Sequence, residues 1–316
     1  MPLRVGVIGA GHFGKYHIKA LKNISDIELI GFYDIDPAVQ HLVSKEYDIK
    51  AYPSYDSILN DVDIVDIVTP TVNHFESACE AIRRQKHVFI EKPVTHTVET
   101  AEKLIELADE AGVKVQVGHI ERFNPAFLAV EHIISKPLYI EAHRLQPFTL
   151  RSLDVSVVLN LMIHDLDIIF NIVKSNIKKI SANGAIVATN TPDVANARLE
   201  FENGCVAHLT ASRISLDNLR IIKIFQKESA IKIDFLNKKS EIIYAKLNNN
   251  ENASVSSIEL KSEYPEIKPK NAIEEELKSF FAAIKNNTTP IVTLEHGYFA
   301  LKIAFDILEK VKYSFE

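Results

Sequence analysis

The sequence predicts an α/β protein in which an N-terminal, doubly wound parallel sheet precedes an α+β region with a large, mostly antiparallel sheet open on one face. Strand-like apolar runs alternate with helical periodicity from residue 3 to about 118. Later segments such as Val194–Phe201 alternate apolar and polar residues with a period of two, which is typical of strands covered on one face. A length of 316 residues favours about two domains, which we place at 1–120 and 121–316.

The predicted first domain contains five short apolar runs that read as strands and three well-marked helices between them. The strands are Leu3–Ile8, Ile27–Tyr33, Ile64–Thr69, His87–Ile90 and Lys114–Val117, with a weaker one near Ile49–Tyr52. The helices are Phe13–Ile24, His74–Gln85 and Val98–Ala111, the last closed by Gly112 as a C-terminal cap.

The predicted second domain begins with a helix near Pro125–Ser135 and a strand near Leu138–Gln146, followed by a long apolar helix near Val157–Val173. In Val194–Phe201 and Cys205–Arg213 one side of the strand is polar, so we expect an open sheet face that carries residues such as His208, Thr210 and Ser212. That face could be solvated or could pair with a second subunit. Two terminal helices, near Ala272–Asn286 and Leu294–Lys312, are expected to pack against the body of this domain.

Charge and composition exclude several classes of partner. The net charge of -6 comes from interspersed signs without a basic stripe, so we expect no binding to nucleic acid. No apolar run approaches the roughly 20 residues that span a bilayer, so we expect no membrane partner. Cys79 and Cys205 are too few for a disulfide framework or a thiolate metal site, which suggests a reduced, cytoplasmic setting.

The glycine-rich segment after the first strand predicts a dinucleotide site of the Rossmann type. Gly9, Gly11 and Gly14 lie where a strand ends and a helix begins, which is the context that this fingerprint requires. The first glycine permits a tight turn, the second lets the backbone approach a pyrophosphate, and the third allows close packing of helix and strand. With His12 and Phe13, they are the predicted phosphate-side contacts. A glycine turn used for packing, or in a methyltransferase, is the alternative.

An acidic residue at the end of the second strand indicates NAD rather than NADP. Asp34 follows the fingerprint by about 20 residues, where a carboxylate can accept hydrogen bonds from the ribose hydroxyls and would repel a 2'-phosphate. Ile35 stands where we expect an NADP enzyme to offer a polar or basic residue. Alternatively, Asp34 is only part of the cap of the helix that follows Asp36-Pro37.

Further cofactor contacts are predicted where the next strand ends. Thr69-Pro70 closes that strand and Asn73-His74 begins the following helix, on the sheet edge where open parallel sheets bind ligands. For Asn73, a helix cap is at least as good an interpretation as a direct contact.

A lysine at the end of a buried strand is the predicted catalytic group of the cofactor domain. Glu91-Lys92-Pro93 directly follows His87–Ile90, so Lys92 lies at the ligand-binding edge of the sheet. Pro93 restricts Lys92 to extended geometry and could adopt the cis form. Glu91 is expected to hold the amine or to contact the cofactor, and a surface lysine in a turn is the alternative.

These motifs together resemble the Gfo/Idh/MocA family, which is named for glucose-fructose oxidoreductase, inositol dehydrogenase and rhizopine catabolism. The resemblance includes Thr69-Pro70 with His74, the segment from Gly118-His119 to Arg122-Phe123-Asn124-Pro125, and the run Val158–Asp167. Within the family the chain is most similar to UDP-N-acetylglucosamine 3-dehydrogenases. The resemblance implies a dehydrogenase acting on CH-OH groups and a homodimer or homotetramer.

The run Val158–Asp167 looks like the family's catalytic helix, which typically carries an aspartate and a histidine four residues apart. Here the histidine is His164, and Asn160 occupies the position of the usual aspartate. An asparagine cannot act as a carboxylate base, so we expect it to orient the substrate by hydrogen bonds. Positions 160, 164 and 167 share one face of a helix that is otherwise apolar, which a ligand cleft would explain. A hydrogen-bonded core histidine with Asp167 as structural partner is the alternative, and no metal site is expected.

The predicted reaction is NAD-dependent oxidation of a sugar hydroxyl, most specifically the 3-hydroxyl of UDP-N-acetylglucosamine or a related UDP-sugar. His164 takes the hydroxyl proton and Lys92 stabilises the developing oxygen charge, or the two roles are reversed. Arg122 and Arg151, with Asn124 near the predicted domain boundary, could bind a substrate diphosphate, or the arginines could form interdomain ion pairs. Two other functions remain open: dehydrogenation of a free sugar or inositol, and a catalytically silent NAD-binding regulator.

Overall fold

The computed structural model describes residues 2–150, 155–248 and 257–312, so the predicted substrate ligand Arg151 lies outside the described residues. The chain divides into two compact units. Unit 1 comprises residues 1–123 and 270–301, and unit 2 comprises residues 124–269 and 302–316.

Unit 1 contains a five-stranded parallel sheet of the predicted kind. Its strands are β1 (Leu3–Ile8), β2 (Ile27–Tyr33), β3 (Ile64–Ile67), β4 (His87–Glu91) and β5 (Val115–Gly118), in the order β2-β1-β3-β4-β5. Its first helices are α1 (His12–Lys22), α2 (Pro37–Tyr47), α3 (Tyr55–Asp61), α4 (His74–Arg83) and α5 (Val98–Ala111). The weak strand near Ile49–Tyr52 is only an isolated bridge between Phe32 and Ala51. The apolar strands are buried because helices cover the sheet on both faces.

Residues 270–301 belong to unit 1, whereas the predicted bounds of 1–120 and 121–316 assigned them to the second domain. Helix α8 (Ala272–Lys285) inserts Leu277, Phe280 and Phe281 into the same apolar cluster as Val5 and Ile18 of the parallel sheet and α1. An amphipathic helix must bury its apolar side, and here the core that it covers is that of the first unit.

Unit 2 is built on an eight-stranded sheet in which six of the seven strand pairings are antiparallel. The strands are β6 (Pro137–Leu145), β7 (Ile177–Ala185), β8 (Val194–Phe201), β9 (Val206–Ser212), β10 (Leu219–Gln226), β11 (Ser229–Asp234), β12 (Lys239–Asn248) and β13 (Ser257–Glu263). Their order is β13-β12-β11-β10-β6-β9-β8-β7, and only β6 and β9 run parallel. The predicted fold class is therefore confirmed.

One face of this sheet is covered and the other is polar, as the alternation predicts. In β8 the side chains of Ala195, Ala197 and Leu199 are fully buried, because helical residues such as Leu166 and Ile169 belong to the same core. Ser212 departs from the prediction because it is 6% exposed and accepts a hydrogen bond from the backbone of Ile214.

The helical region of unit 2 is less regular than predicted. The helix near Pro125–Ser135 is a short α6 (Pro125–Leu128) followed by a 3-10 turn at Glu131–Ile133. The long helix is a π-helix at Val158–Met162 that continues into α7 (Ile163–Val173). The last helix, α9, spans Leu294–Lys312 as predicted, with residues 294–301 in unit 1 and 302–312 in unit 2. Among the described residues, no helix is long and apolar enough to cross a membrane.

Candidate active site

The turn between β1 and α1 has the shape that a dinucleotide phosphate requires. Gly9 has a φ of +91°, in the region that side chains avoid, and a Cβ on Gly14 would lie 2.1 Å from the carbonyl oxygen of Gly9. A Cβ on Gly11, by contrast, would meet no atom of the described chain within 4 Å. The N-cap residue of α1 is Gly11, which has no side chain to cap the helix. The amide groups of the first turn of α1 therefore remain suited to an anion. His12 and Phe13 begin this helix, and Phe13 is 57% exposed.

Asp34 directly follows β2 and is hydrogen-bonded to the glycine turn. Its carboxylate accepts hydrogen bonds from the backbone N–H groups of Ala10 at 2.7 Å and Asp36 at 3.0 Å. The cap of helix α2 is Asp36 rather than Asp34, because the Asp36 side chain accepts from the N–H of Ala38. Ile35 is 87% exposed beside it. The half-buried carboxylate of Asp34 keeps lone pairs for further donors.

The residues after β3 that were predicted to contact the cofactor differ in their exposure. Pro70 and Asn73 are exposed, and Asn73 makes no side-chain cap bond to the described part of α4. Thr69 Oγ1 is buried and has no hydrogen-bond partner among the residues that the structure describes.

His74 lies between the end of β3 and the segment that follows Lys92. Its side chain is 1% exposed, and its ring nitrogens lie 2.9 Å from the carbonyl oxygens of Pro93 and Thr69. Burial lowers the pKa of His74, so the neutral ring is favoured at physiological pH and donates its single N–H to one of these two oxygens. The burial and this hydrogen bond support a structural role for His74.

Lys92 follows β4 directly, is half-buried, and precedes a cis peptide bond to Pro93. The side chain of Glu91 turns back to the backbone of the next residue, and Glu91 Oε2 accepts the backbone N–H of Lys92 at 3.1 Å. A Cβ on Gly118 of the neighbouring strand β5 would lie 2.8 Å from Glu91 Oε1, so glycine leaves the room that this carboxylate occupies.

Two buried residues that the sequence reasoning missed complete this arrangement. His17 of α1 and Asp66 of β3 are each 1% exposed, and His17 Nδ1 lies 2.9 Å from Asp66 Oδ2. His17 Nε2 lies 3.2 Å from Glu91 Oε1. A charged residue inside an apolar strand, Ile64 to Val68, was the available signal for Asp66, since a buried carboxylate requires a partner.

The electrostatics of this group favour a charged His17 and a charged Glu91. Burial opposes the charge on His17, yet Asp66 and then Glu91 outweigh it and hold the pKa of His17 well above its usual value. Burial likewise opposes the charge on Glu91, but the hydrogen bond and charge of His17, with the charge of Lys92, hold the pKa of Glu91 below its usual value.

In unit 2, the π-helix and α7 present two polar side chains that are only partly buried. Asn160 and His164 are half-buried, whereas Asp165 and Asp167 are each 2% exposed. Asp165 forms a buried salt bridge with Arg144 of β6, whose Nη2 lies 2.8 Å from Asp165 Oδ1. Arg144 was also missed, and its pairing fixes the turn of α7 that carries His164. The burial of Asp167 agrees with a structural role.

A second buried carboxylate orders the loop that precedes β8. Asp193, fully buried, accepts hydrogen bonds from the backbone N–H groups of Val187, Ala188 and Thr189 at 2.7 to 3.0 Å. Burial would raise its pKa, but these donors hold the pKa of Asp193 at about 2. Arg213 donates to the carbonyl oxygens of Val155 and Pro192, so the same cluster anchors the start of the helical segment.

The predicted substrate ligands of the Arg122 region are deeply buried. Arg122 is 5% exposed within the 3-10 turn Ile120–Phe123 of unit 1. Asn124 is 6% exposed, caps α6 through the N–H of Ala126 at 3.1 Å, and donates to the carbonyl oxygen of Phe235 at 3.1 Å. Both ends of the Asn124 amide therefore bind backbone groups, which supports a structural role for this residue.

Unit 1 combines a doubly wound sheet with a glycine turn at an uncapped helix start, an acidic residue after β2 and a lysine after β4. Together these features define an oxidoreductase that uses a nicotinamide dinucleotide. Comparison with family models agrees, since the model of the oxidoreductase family with an NAD-binding Rossmann fold matches residues 3–119. The model of the GFO/IDH/MocA C-terminal domain matches residues 132–230. The chain belongs to the Gfo/Idh/MocA family of oxidoreductases.

Named relatives include dehydrogenases of sugars and of inositol. The chain is 38% identical over 243 residues to UDP-N-acetylglucosamine 3-dehydrogenase of Acidithiobacillus ferrooxidans, a match that covers 77% of each protein. A crystal form of that enzyme superposes with a TM-score of 0.92 at 32% identity and covers 100% of both chains. The chain is also 28% identical to scyllo-inositol 2-dehydrogenase (NAD(+)) of Bacillus subtilis, over 92% of this chain and 89% of that one.

Proposed function

We propose that this protein oxidises the 3-hydroxyl of UDP-N-acetylglucosamine, or of a related UDP-sugar, with NAD. The observation that carries the proposal is the half-buried lysine at the carboxyl end of β4, in the same sheet whose first turn fits a dinucleotide. The relative that is 38% identical supports the choice of a nucleotide-sugar, because its own name gives this substrate. The inositol dehydrogenase is less similar, at 28% identity.

The residues of the first turn fit a nicotinamide dinucleotide. The open side of Gly11 and the uncapped start of α1 suit the pyrophosphate, and Asn73 and Pro70 are exposed at the neighbouring strand end. The carboxylate of Asp34 is fixed by Ala10 and suits ribose hydroxyls, while the exposed Ile35 offers no charge to a 2'-phosphate. NAD is therefore the preferred cofactor. When bound, its nicotinamide accepts the hydride.

Lys92 and His164 share the proton chemistry in this proposal. His164 accepts the proton of the sugar hydroxyl, and Lys92 donates a hydrogen bond to the oxygen as its charge develops. Asn160 stands where the family usually has an aspartate and orients the substrate through its amide. Since Asn160 cannot take a proton, His164 and Lys92 carry the whole of this task.

The diphosphate of the substrate requires cationic donors. Arg122 is 5% exposed, so it can serve only with a few of its N–H groups. Arg151, which lies outside the described residues, is the second candidate, since a bidentate guanidinium matches a phosphate. We assign Asn124 no part in binding the diphosphate, because both ends of its amide bind backbone groups.

A substrate panel tests this function. The purified protein is incubated with NAD or NADP and with UDP-sugars, free sugars or inositols, and NADH absorbance is followed. We expect reduction with UDP-N-acetylglucosamine and NAD, and a loss of at least about 100-fold in kcat for Lys92→Met with NAD binding retained. Lys45→Met, on the exposed side of α2, is the matched control.

The outcomes of the panel separate the candidate functions. Turnover of inositol or a free sugar in preference to UDP-sugars would replace the proposed substrate. An absence of reduction with every substrate, after tightly held cofactor has been released and replaced, would favour an NAD-binding regulator. Near-normal turnover by Lys92→Met would refute the role of the lysine.

We also propose that the chain forms a homodimer or homotetramer through the open face of the sheet in unit 2. This face carries partly exposed aromatic rings, with Tyr139 5.5 Å from His208 and 5.9 Å from Phe225 between ring centroids. Exposed apolar rings in a row suit contact with a second copy. Tyr139→Glu should shift the particle mass measured by light scattering towards the monomer, and an unchanged mass would exclude this face.

A further inference from the structure

We propose that His17 is a positioning residue for Lys92: as an imidazolium between Asp66 and Glu91, it holds the Glu91 carboxylate in the place that fixes Lys92. This inference rests on the proposed role of Lys92. It assigns a function to the buried pair His17 and Asp66, which the proposed reaction leaves without a role.

The hydrogen-bond geometry favours a charged ring. His17 Nδ1 lies 2.9 Å from Asp66 Oδ2, and His17 Nε2 lies 3.2 Å from Glu91 Oε1. A neutral imidazole has a single N–H, so it can donate to only one of two carboxylates, whereas the imidazolium donates to both. Two buried carboxylates on one neutral ring would also repel each other. The raised pKa of His17 agrees with this state.

The charge of His17 acts on Lys92 through one carboxylate. Glu91 Oε1 is taken by His17, and Glu91 Oε2 accepts the backbone N–H of Lys92 at 3.1 Å. The ring of Phe89 packs 5.7 Å from that of His17, and the absence of a side chain at Gly118 leaves the room that the Glu91 carboxylate occupies. Ionised Glu91 therefore fixes the backbone of Lys92 and places a negative charge next to its amine.

The network consists of four charged groups from three elements and the residue that follows one of them. His17 extends from α1, Asp66 from β3 and Glu91 from β4, with Lys92 following β4. If all four are ionised, two positive charges balance two negative ones. Without the cation of His17, Asp66 and Glu91 would share a desolvated site, and the pKa of Glu91 would rise because burial and a like charge both disfavour its ionised form.

Two NMR measurements on the full-length protein test this without requiring a substrate. In protein labelled with ¹⁵N-histidine, one ring that is absent from His17→Gln should show the imidazolium signature at pH 8, where an ordinary histidine with a pKa of about 6.5 is neutral. In protein labelled with ¹⁵N-lysine, the amide of Lys92, assigned from Lys92→Met, should keep a constant shift from pH 5.5 to 9. In His17→Gln it should titrate within that range as Glu91 takes up a proton. His41→Gln, an exposed histidine of α2, should change neither result.

A double variant separates positioning from damage to the fold. In His17→Gln/Asp66→Asn the like charge beside Glu91 is also removed, so the titration of the Lys92 amide should move back by roughly one pH unit. Simple loss of packing would not be repaired by a second buried substitution. If His17→Gln does not fold, Gly118→Ala tests the same link, because its Cβ would displace Glu91 Oε1 and should disturb the Lys92 amide with His17 intact.

Kinetics supply the readout for function. We expect His17→Gln to lower kcat by about 10- to 100-fold at pH 7 with KM and NADH affinity unchanged, and to move the acid limb of kcat to higher pH. A neutral His17 at pH 8, or a Lys92 amide that is unaffected in His17→Gln, would overturn the proposal. If the wild-type protein reduces NAD with no substrate of the panel, the proposed function fails, while the two NMR results still decide whether His17 holds Glu91 and Lys92.

Discussion

Replacing each of two glycines by alanine distinguishes a cofactor turn from a packing turn. A Cβ on Gly14 would lie 2.1 Å from the carbonyl oxygen of Gly9, a backbone atom, whereas a Cβ on Gly11 would meet no described atom within 4 Å. Gly11 also has a φ of -65° and a ψ of -158°, outside the left-handed region that disfavours a side chain. The two residues are three positions apart in the same turn, so each is a control for the other.

The expected magnitudes differ in kind. For Gly11→Ala, stability should stay the same or rise by about 0.4–1 kcal/mol, because alanine restricts the unfolded chain. The added methyl group occupies the open side of the turn and should cost one charge-assisted hydrogen bond to the pyrophosphate, about 1.5–3 kcal/mol, or roughly 10- to 100-fold in the Kd of NADH. For Gly14→Ala, the backbone must shift by more than an ångström, so we expect a loss of about 3 kcal/mol of stability or more.

The assay pairs NADH fluorescence titration with thermal unfolding in the absence of cofactor. Gly11→Ala should lose affinity and keep its stability, and Gly14→Ala should lose both. Wild-type NADH affinity in Gly11→Ala would show that the phosphates do not approach this turn. A fall in stability as large as that of Gly14→Ala would show that the space beside Gly11 is needed by the chain itself.

Three further predictions concern charge. Arg144→Met should cost about 3–5 kcal/mol in urea unfolding because it leaves Asp165 buried without its partner, and Arg144→Met/Asp165→Leu should recover most of that loss. Asp34→Ser/Ile35→Arg should raise the ratio of NADP to NAD turnover by at least about tenfold, since it replaces a charge that repels a 2'-phosphate by one that binds it; an unchanged ratio would place the adenosine elsewhere. Asp193, with a pKa of about 2, stabilises the fold fully above pH 4, and this contribution of about 2 kcal/mol should disappear as the pH falls from 4 to 2. Asp193→Asn should remove that part of the acid dependence in unfolding midpoints measured across the range, while Asp217→Asn should retain it.

Much of the fold could be predicted because hydrophobic period reports burial directly. The strands Leu3–Ile8 and Ile27–Tyr33 and the helix Val98–Ala111 have the predicted ends, and the alternation in Val194–Phe201 identified the covered side of its sheet. The period does not say which core an amphipathic helix covers. The helix predicted near Ala272–Asn286 was placed in the second domain but lies in unit 1, since Leu277 and Phe280 would suit either sheet.

In the candidate site, too, the local motifs could be predicted and the contacts between distant parts of the chain could not. The glycine turn, Asp34 and Lys92 were recognisable because each has a fixed place relative to a strand end. The partners of His17 could not be predicted, because Asp66 and Glu91 lie 49 and 74 residues away along the chain. The π-helix at Val158–Met162 was also beyond the sequence pattern, because five residues are too few to distinguish its period from that of an α-helix.

Helix α1 connects these observations. Its first turn follows Gly11 and has amide groups suited to a pyrophosphate, and its second turn carries His17, which contacts Glu91. The same rigid element therefore bears on the cofactor turn and on the carboxylate that fixes Lys92. A substitution that tilts α1 should weaken cofactor binding and disturb Lys92 together, whereas His17→Gln changes a charge without moving the helix. The proposed separation of kcat from NADH affinity in His17→Gln follows from that difference, because only the electrostatic link between α1 and Lys92 is removed.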